Sequence, residues 1–145
     1  MTDPNKLANA CARSMMSNDQ TSQGLGMAIE EIRPGFACLS MTVRADMTNG
    51  QRIAHGGLMF TLADSSFAFA CNTYNQFAVA QHCTISFVAP AFEGDRLTAT
   101  ASERYRAGRS GIYDVTIVNQ KGDIIAEFRG NSRTVKGQHV DETAL

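Results

Sequence analysis

Between Gly57 and Tyr74 the chain reads as one helix with almost no polar face, because Leu58, Met59, Leu62, Phe67, Phe69 and Ala70 are spread around it. A helix that is apolar on every side has to be enclosed by other elements. The rest of the chain must wrap it, and most of the rest reads as strand. From Phe36 to Val43 the residues Ala37, Leu39, Met41 and Val43 alternate with Cys38, Ser40 and Thr42, the period of a strand with one buried face. Arg33-Pro34-Gly35 marks a turn before it, which makes Met27 to Ile32 its hairpin partner. Beyond the helix, Phe77 to Val88, Arg96 to Tyr105, Gly111 to Asn119 and Ile124 to Val135 are rich in Thr, Val, Ile, Phe and Tyr, as strands are. Their separators, Pro90 with Glu93-Gly94-Asp95, then Ala107-Gly108, then Asn119 to Gly122, are short enough to favour antiparallel neighbours. The expected class is α+β, an antiparallel sheet wrapped around one long central helix.

A length of 145 residues suits a single domain. An N-terminal helical segment is expected before a core of residues 18–135, and the polar tail Lys136 to Leu145 is expected to fray. Lys plus Arg is 13 against 14 for Asp plus Glu, so the net charge of −1 lacks the electrostatic footprint of a nucleic-acid binder. The longest apolar run, Phe67 to Cys71, is far short of the about 20 residues that span a bilayer, so no membrane partner is expected. Met1 to Asn18 lacks the apolar block of a secretory signal. The four cysteines, Cys11, Cys38, Cys71 and Cys83, have no C-x-x-C spacing and read as reduced thiols, so a cytoplasmic location is expected. His82-Cys83 with Cys71 and His55 offers no recurring close ligand pair; we expect no metal, and we read His82 as a packed, hydrogen-bonded core histidine.

One constellation stands out: Asn49-Gly50, four residues, His55-Gly56-Gly57, and then Asp64 within the helix. Glycines at a helix entry let a ligand approach the first free amides, where the positive end of the helix dipole favours developing negative charge. That is the makings of an oxyanion hole. Asp64 shares its helix face with Phe60, Phe67, Ala68 and Cys71, so burial should raise its pKa and suit it to act as a general base or nucleophile. Gly56 and Asp64 are eight positions apart, about 12 Å along a helix at 1.5 Å per residue. One chain cannot bring both to one carbonyl, which predicts a homodimer with sites at its interface.

The motifs His55-Gly56-Gly57, Leu62-Ala63-Asp64, Ala70-Cys71-Asn72, Thr84-Ile85-Ser86-Phe87, Gly94-Asp95 and Tyr113-Asp114-Val115 closely resemble, in order, those of the PaaI-type (phenylacetate degradation) hotdog-fold thioesterases. The resemblance runs from about Asn18 to Val135 and implies hydrolysis of acyl-CoA thioesters, aryl-acetyl (phenylacetyl-CoA type) thioesters among them. It implies no cofactor apart from the coenzyme A of substrate and product, and dimers paired into a homotetramer. It makes Asp64 the base or nucleophile and the Gly56 amide of the other subunit the group that polarises the carbonyl. His55 and Asn49 take supporting roles at the thioester or the attacking water, or simply brace the turn. The resemblance also implies that Gly57 and the Val88-Ala89-Pro90 edge face the substrate, and that Arg106, Gly108, Arg109 and Ser110, with Arg104 nearby, receive the nucleotide and its phosphates. Two alternatives stay open: a non-catalytic acyl-CoA-binding or regulatory protein, and a hydratase or dehydratase. The signature of an Asp followed five residues later by His, which marks the hydratases, is absent.

Overall fold

The computed structural model describes residues 2–145. Its elements run α1 (Pro4–Asn18), α2 (Gln20–Gly24), β1 (Ala28–Arg33), β2 (Phe36–Thr42), α3 (Gly56–Cys71), β3 (Ala78–Phe87), β4 (Arg96–Ala107), β5 (Ser110–Val118) and β6 (Ile124–Thr134). The six strands form one sheet in the order β1-β2-β4-β5-β6-β3, every neighbour antiparallel. α3 lies across one face of it, over β2, β4 and β5. The alternation Ala37, Leu39, Met41 points at this helix, as do Leu97, Ala99 and Ala101 of β4 and Tyr113, Val115 and Ile117 of β5, all of them buried. Gly35, at φ +71°, lets the chain reverse between β1 and β2 in a conformation most side chains resist.

Phe67 sits at the centre. Its ring packs 5.7 Å from Tyr113 and 5.8 Å from Phe128, and it lies flat against Gly130, where a Cβ would come within 2.8 Å of it. Truncation to alanine would leave a cavity that this rigid sheet cannot close. We expect Phe67→Ala to cost about 3–5 kcal/mol, measured by denaturant unfolding.

Three expectations need correction. The helix stops at Cys71, because Asn72 caps it, donating through Nδ2 to Ala68 O at 2.8 Å, and Tyr74 falls in the turn beyond. His82 is exposed: β3 is an edge strand of the sheet, and a bulge between Ala80 and His82 interrupts its register there. The tail is held down. His139 Nε2 lies 2.7 Å from Asn72 Oδ1, the His139 and Val140 amides donate to Asn75 Oδ1, and Asn75 Nδ2 donates to Val140 O. Polar composition alone suggested fraying, but two buried asparagines after the helix offer those donors and acceptors a dry partner.

Candidate active site at the entry and middle of the central helix

The loop before α3 is stitched on both sides. His55 N donates to Met47 O and Ala54 N to Ala91 O, each at 2.8 Å, and short bridges pair Thr48 with Ala54 and Ile53 with Phe92. Asn49 closes the turn within: its Oδ1 accepts from Gln51 N at 2.9 Å and from Ile53 N at 3.2 Å. The Asn49 carbonyl oxygen thus braces the turn, while its side-chain amide makes no hydrogen bond among the described residues. His55 is the N-cap of α3, and its Nδ1 accepts from Gly57 N at 3.0 Å, which puts the ring proton of the neutral imidazole on Nε2. Of the two glycine amides, Gly57's is therefore spent, whereas Gly56's donates to nothing among the described residues. An unpaired amide at a helix start is a ready donor to an oxyanion.

Beside Gly56 opens a cavity of about 330 Å³, walled by Met59, Phe87, Val88, Ala89 and Pro90. Phe87, on an edge strand of the sheet, lies against Gly56 so closely that a Cβ there would sit 3.1 Å from its ring, yet the residue is 52% exposed. The sequence offers the Pro90 edge as a wall and leaves Phe60, Phe67 and Phe87 equally compatible with an aryl pocket and with core. The structure puts Phe87 in the wall and adds Met59, which the sequence reading does not single out. The alternation Cys83, Ile85, Phe87 on β3 was the available signal. Phe60 and Phe67 pack on Phe128 and belong to the core. A larger cleft of about 620 Å³ lies between the chain ends, at Lys6, Glu142 and Leu145, and holds none of these groups.

Asp64 lies two turns further along α3, half-buried, with no hydrogen-bond partner among the described residues. Burial alone pushes its carboxyl above the usual carboxylate range. Burial also raises the Cys71 thiol, to about 12, and the Cys83 thiol, with the Asp64 charge adding to both.

The structure does not bring the arginines to this place within one chain. Gly108 and Arg109 form the tip of the β4–β5 hairpin, where Ala107 pairs with Ser110, and Ser110 pairs in turn with Arg133, the partner of Val79 on β3. Phe87, beside Gly56, lies toward the other end of that strand, eight residues on from Val79, about 26 Å away at 3.3 Å per residue. Arg104 bonds Asp114, which Arg129 also holds, and the Arg106 guanidinium stacks 3.6 Å over the Tyr74 ring. Arg109 is exposed and makes no side-chain hydrogen bond or salt bridge among the described residues.

Comparison with known proteins agrees with this architecture. The model of the thioesterase superfamily matches residues 51–126, from the loop before α3 into β6. The chain is 47% identical to the acyl-coenzyme A thioesterase PaaI of Escherichia coli over 126 residues, 87% of this chain and 90% of that protein. It is 32% identical over 116 residues to a putative esterase of Archaeoglobus fulgidus, covering 80% of this chain and 75% of the other. Among solved structures, that of the E. coli PaaI protein from the phenylacetic acid degradation operon superimposes with a TM-score of 0.92 at 44% identity, over 94% of this chain and 99% of its own. A mutant of the phenylacetic acid degradation protein PaaI of Thermus thermophilus superimposes with a TM-score of 0.78 at 35% identity, over 81% and 100%. No helix among the described residues is long and apolar enough to cross a membrane. With its helix inside one antiparallel sheet and this kinship over most of its length, the chain belongs to the thioesterase superfamily as a PaaI-type hotdog acyl-CoA thioesterase.

Proposed function

We propose that Asp64 is the general base of thioester hydrolysis and that the Gly56 amide of a partner subunit polarises the carbonyl. The observation that carries this is the pair of unengaged groups on α3: an amide at its first residue and an unbonded, half-buried carboxylate two turns later. Asp64 takes a proton from water, and the oxygen adds to the thioester carbon. The oxyanion accepts from the glycine amide. As the tetrahedral centre collapses, the C–S bond breaks and the sulfur leaves as coenzyme A, taking the proton from Asp64. The products are the free acid and CoA–SH, so atoms and charge balance.

A homodimer joined along β3 supports the shared site. The outer side of β3 is ten residues of unpaired backbone flanked by exposed Phe77, Val79, Phe87 and Val88. An apolar edge of that length calls for a partner. Antiparallel pairing of two copies reverses the second chain, and so brings its hairpin end beside the first chain's Gly56 end. Phosphates held at Arg109 would then lie on the partner of the chain whose Gly56 polarises the carbonyl, with the pantetheine running along the Pro90 edge. Two such dimers pair into the homotetramer, and the reaction runs in the cytoplasm with no group beyond the substrate's coenzyme A.

The acyl group assigned is aryl-acetyl, on the strength of the Phe87 ring in the cavity wall and the kinship with proteins of phenylacetic acid degradation. Following thiol release from short, medium and aryl acyl-CoAs tests it: the highest kcat/KM should fall on the aryl-acetyl ester, and a preference for straight chains overturns the assignment. Arg109→Ala should raise KM for CoA esters severalfold at low ionic strength and leave kcat in place, because the lost contact is remote from the reacting carbon. Added salt should narrow the difference. A KM unaltered at low salt removes Arg109 from the nucleotide site.

A further inference from the structure

We propose that Ser65, Ser22 and Asp19 form a hydrogen-bonded strut that sets the orientation of the helix turn carrying Asp64, with Ser65 as a positioning residue for the reaction. The proposal rests on Asp64 being the base. Ser22 Oγ lies 2.6 Å from Asp19 Oδ2 and 2.9 Å from Ser65 Oγ. An ionised carboxylate only accepts, so the single hydroxyl proton of Ser22 goes to Asp19, and Ser65 must donate to Ser22. Every bond in the chain then has a fixed direction. Asp19 Oδ1 also accepts from Ser22 N at 2.9 Å, so the carboxylate grips both backbone and side chain of a residue that is 0% exposed. Charge-assisted bonds of this kind are the strong ones.

No other side-chain hydrogen bond among the described residues joins α3, from Gly56 to Cys71, to a different element. The Thr61 and Ser66 hydroxyls return to the carbonyls of Gly57 and Leu62 within the helix, and Asp64 makes no bond. At the C-terminal end, Asn72 ties the Ala68 carbonyl to Ala78 of β3 and Thr73 ties the Ala70 carbonyl to the Gly35 amide, but the turn that carries Asp64 is otherwise held by apolar contacts, which are non-directional. The strut supplies an angle that packing does not. Ser65 and Asp64 are adjacent, so any rotation of the helix that breaks the first contact swings the second. With side-chain ends about 5–6 Å from the axis, a turn of about 10° moves the carboxylate about 1 Å. Displacements of that size cost up to about 10²-fold in rate. The N-terminal segment, 43 positions away from Ser65 at Ser22, thus has a part in the chemistry without touching substrate.

The test is steady-state kinetics on the full chain with an acyl-CoA. Ser65→Ala should lower kcat about tenfold and leave KM where it was. Ser65→Thr, which restores the hydroxyl, should recover most of the loss. Asp19→Asn keeps the shape and weakens the acceptor, and should lower kcat about threefold, so the strut is tested even if Ser65→Ala folds poorly. In an Asp64→Asn background, Ser65→Ala should have no further effect, because there is no carboxylate left to position. Wild-type kcat in folded Ser65→Ala overturns the strut and leaves Asp64 as the base. An equal loss in both backgrounds overturns it too, since a general loosening would be the cause. Full turnover in Asp64→Asn itself overturns the assignment of the base, and the strut with it.

Discussion

Asp64→Asn should lower turnover by about 10² to 10⁴, the range for losing acid–base catalysis, in a protein that folds normally. The amide keeps the size of the side chain and cannot take a proton from water. The effect on the fold runs the other way. Because burial raises this carboxyl above its unfolded value, the native state favours the protonated form. Its contribution to stability is full below the ordinary carboxylate range and is lost as pH rises through the raised value. At neutral pH wild type holds a half-buried charge with no partner, so the neutral variant should melt at a temperature no lower than wild type's, and the two should converge in acid. In wild type, kcat/KM should climb with pH as Asp64 ionises, and that limb should vanish in the variant. Near-normal turnover by correctly folded Asp64→Asn removes the residue from the mechanism.

Mixing two dead enzymes should give a live one. Gly56→Pro deletes the amide that the oxyanion would use, and the fold is prepared for it. Gly56 is the first residue of α3, where proline fits, and His55 before it has φ −62° and ψ 128°, the extended conformation a following proline demands. The nearest atoms to a Cβ placed there belong to the edge of the Phe87 ring, at 3.1–3.5 Å, so that ring must give by a few tenths of an ångström. Each homodimer of Gly56→Pro or Asp64→Asn should be inactive by about 10²-fold or more. In a mixed dimer one site carries both lesions, and the other has an intact Asp64 facing an intact Gly56. Subunit exchange should therefore restore up to half the activity of a wild-type dimer per heterodimer. Exchange demonstrated by mass, with no activity recovered, means that the two groups do not act across an interface.

The interior of this protein was legible in its residue order because burial imposes periods. An all-round apolar stretch predicted α3 as an enclosed helix, and period-two alternation predicted β2 facing it, to within a few residues at each end. The chemistry was legible where it depends on neighbours in sequence: two glycines at a helix entry, an acid two turns on, and the arithmetic that keeps them apart. Tertiary structure decided what depends on neighbours in space. Nothing in the run Ala78 to Phe87 says that β3 lies at an edge of the sheet, so the sequence reads His82 as buried and leaves Phe87 open between pocket and core, whereas the sheet order exposes both. Strand period reports which face a residue is on, not whether another strand lies beyond. Which glycine amide stays free was settled by His55 curling back on Gly57, a bond that depends on one side-chain torsion. Three arginines close together in sequence were resolved by their contacts, Asp114 for Arg104 and Tyr74 for Arg106, leaving Arg109 unengaged. The link from Ser22 to Ser65 joins segments whose separation no local pattern encodes, and it exists because the folded N-terminal segment lays a buried hydroxyl against the helix.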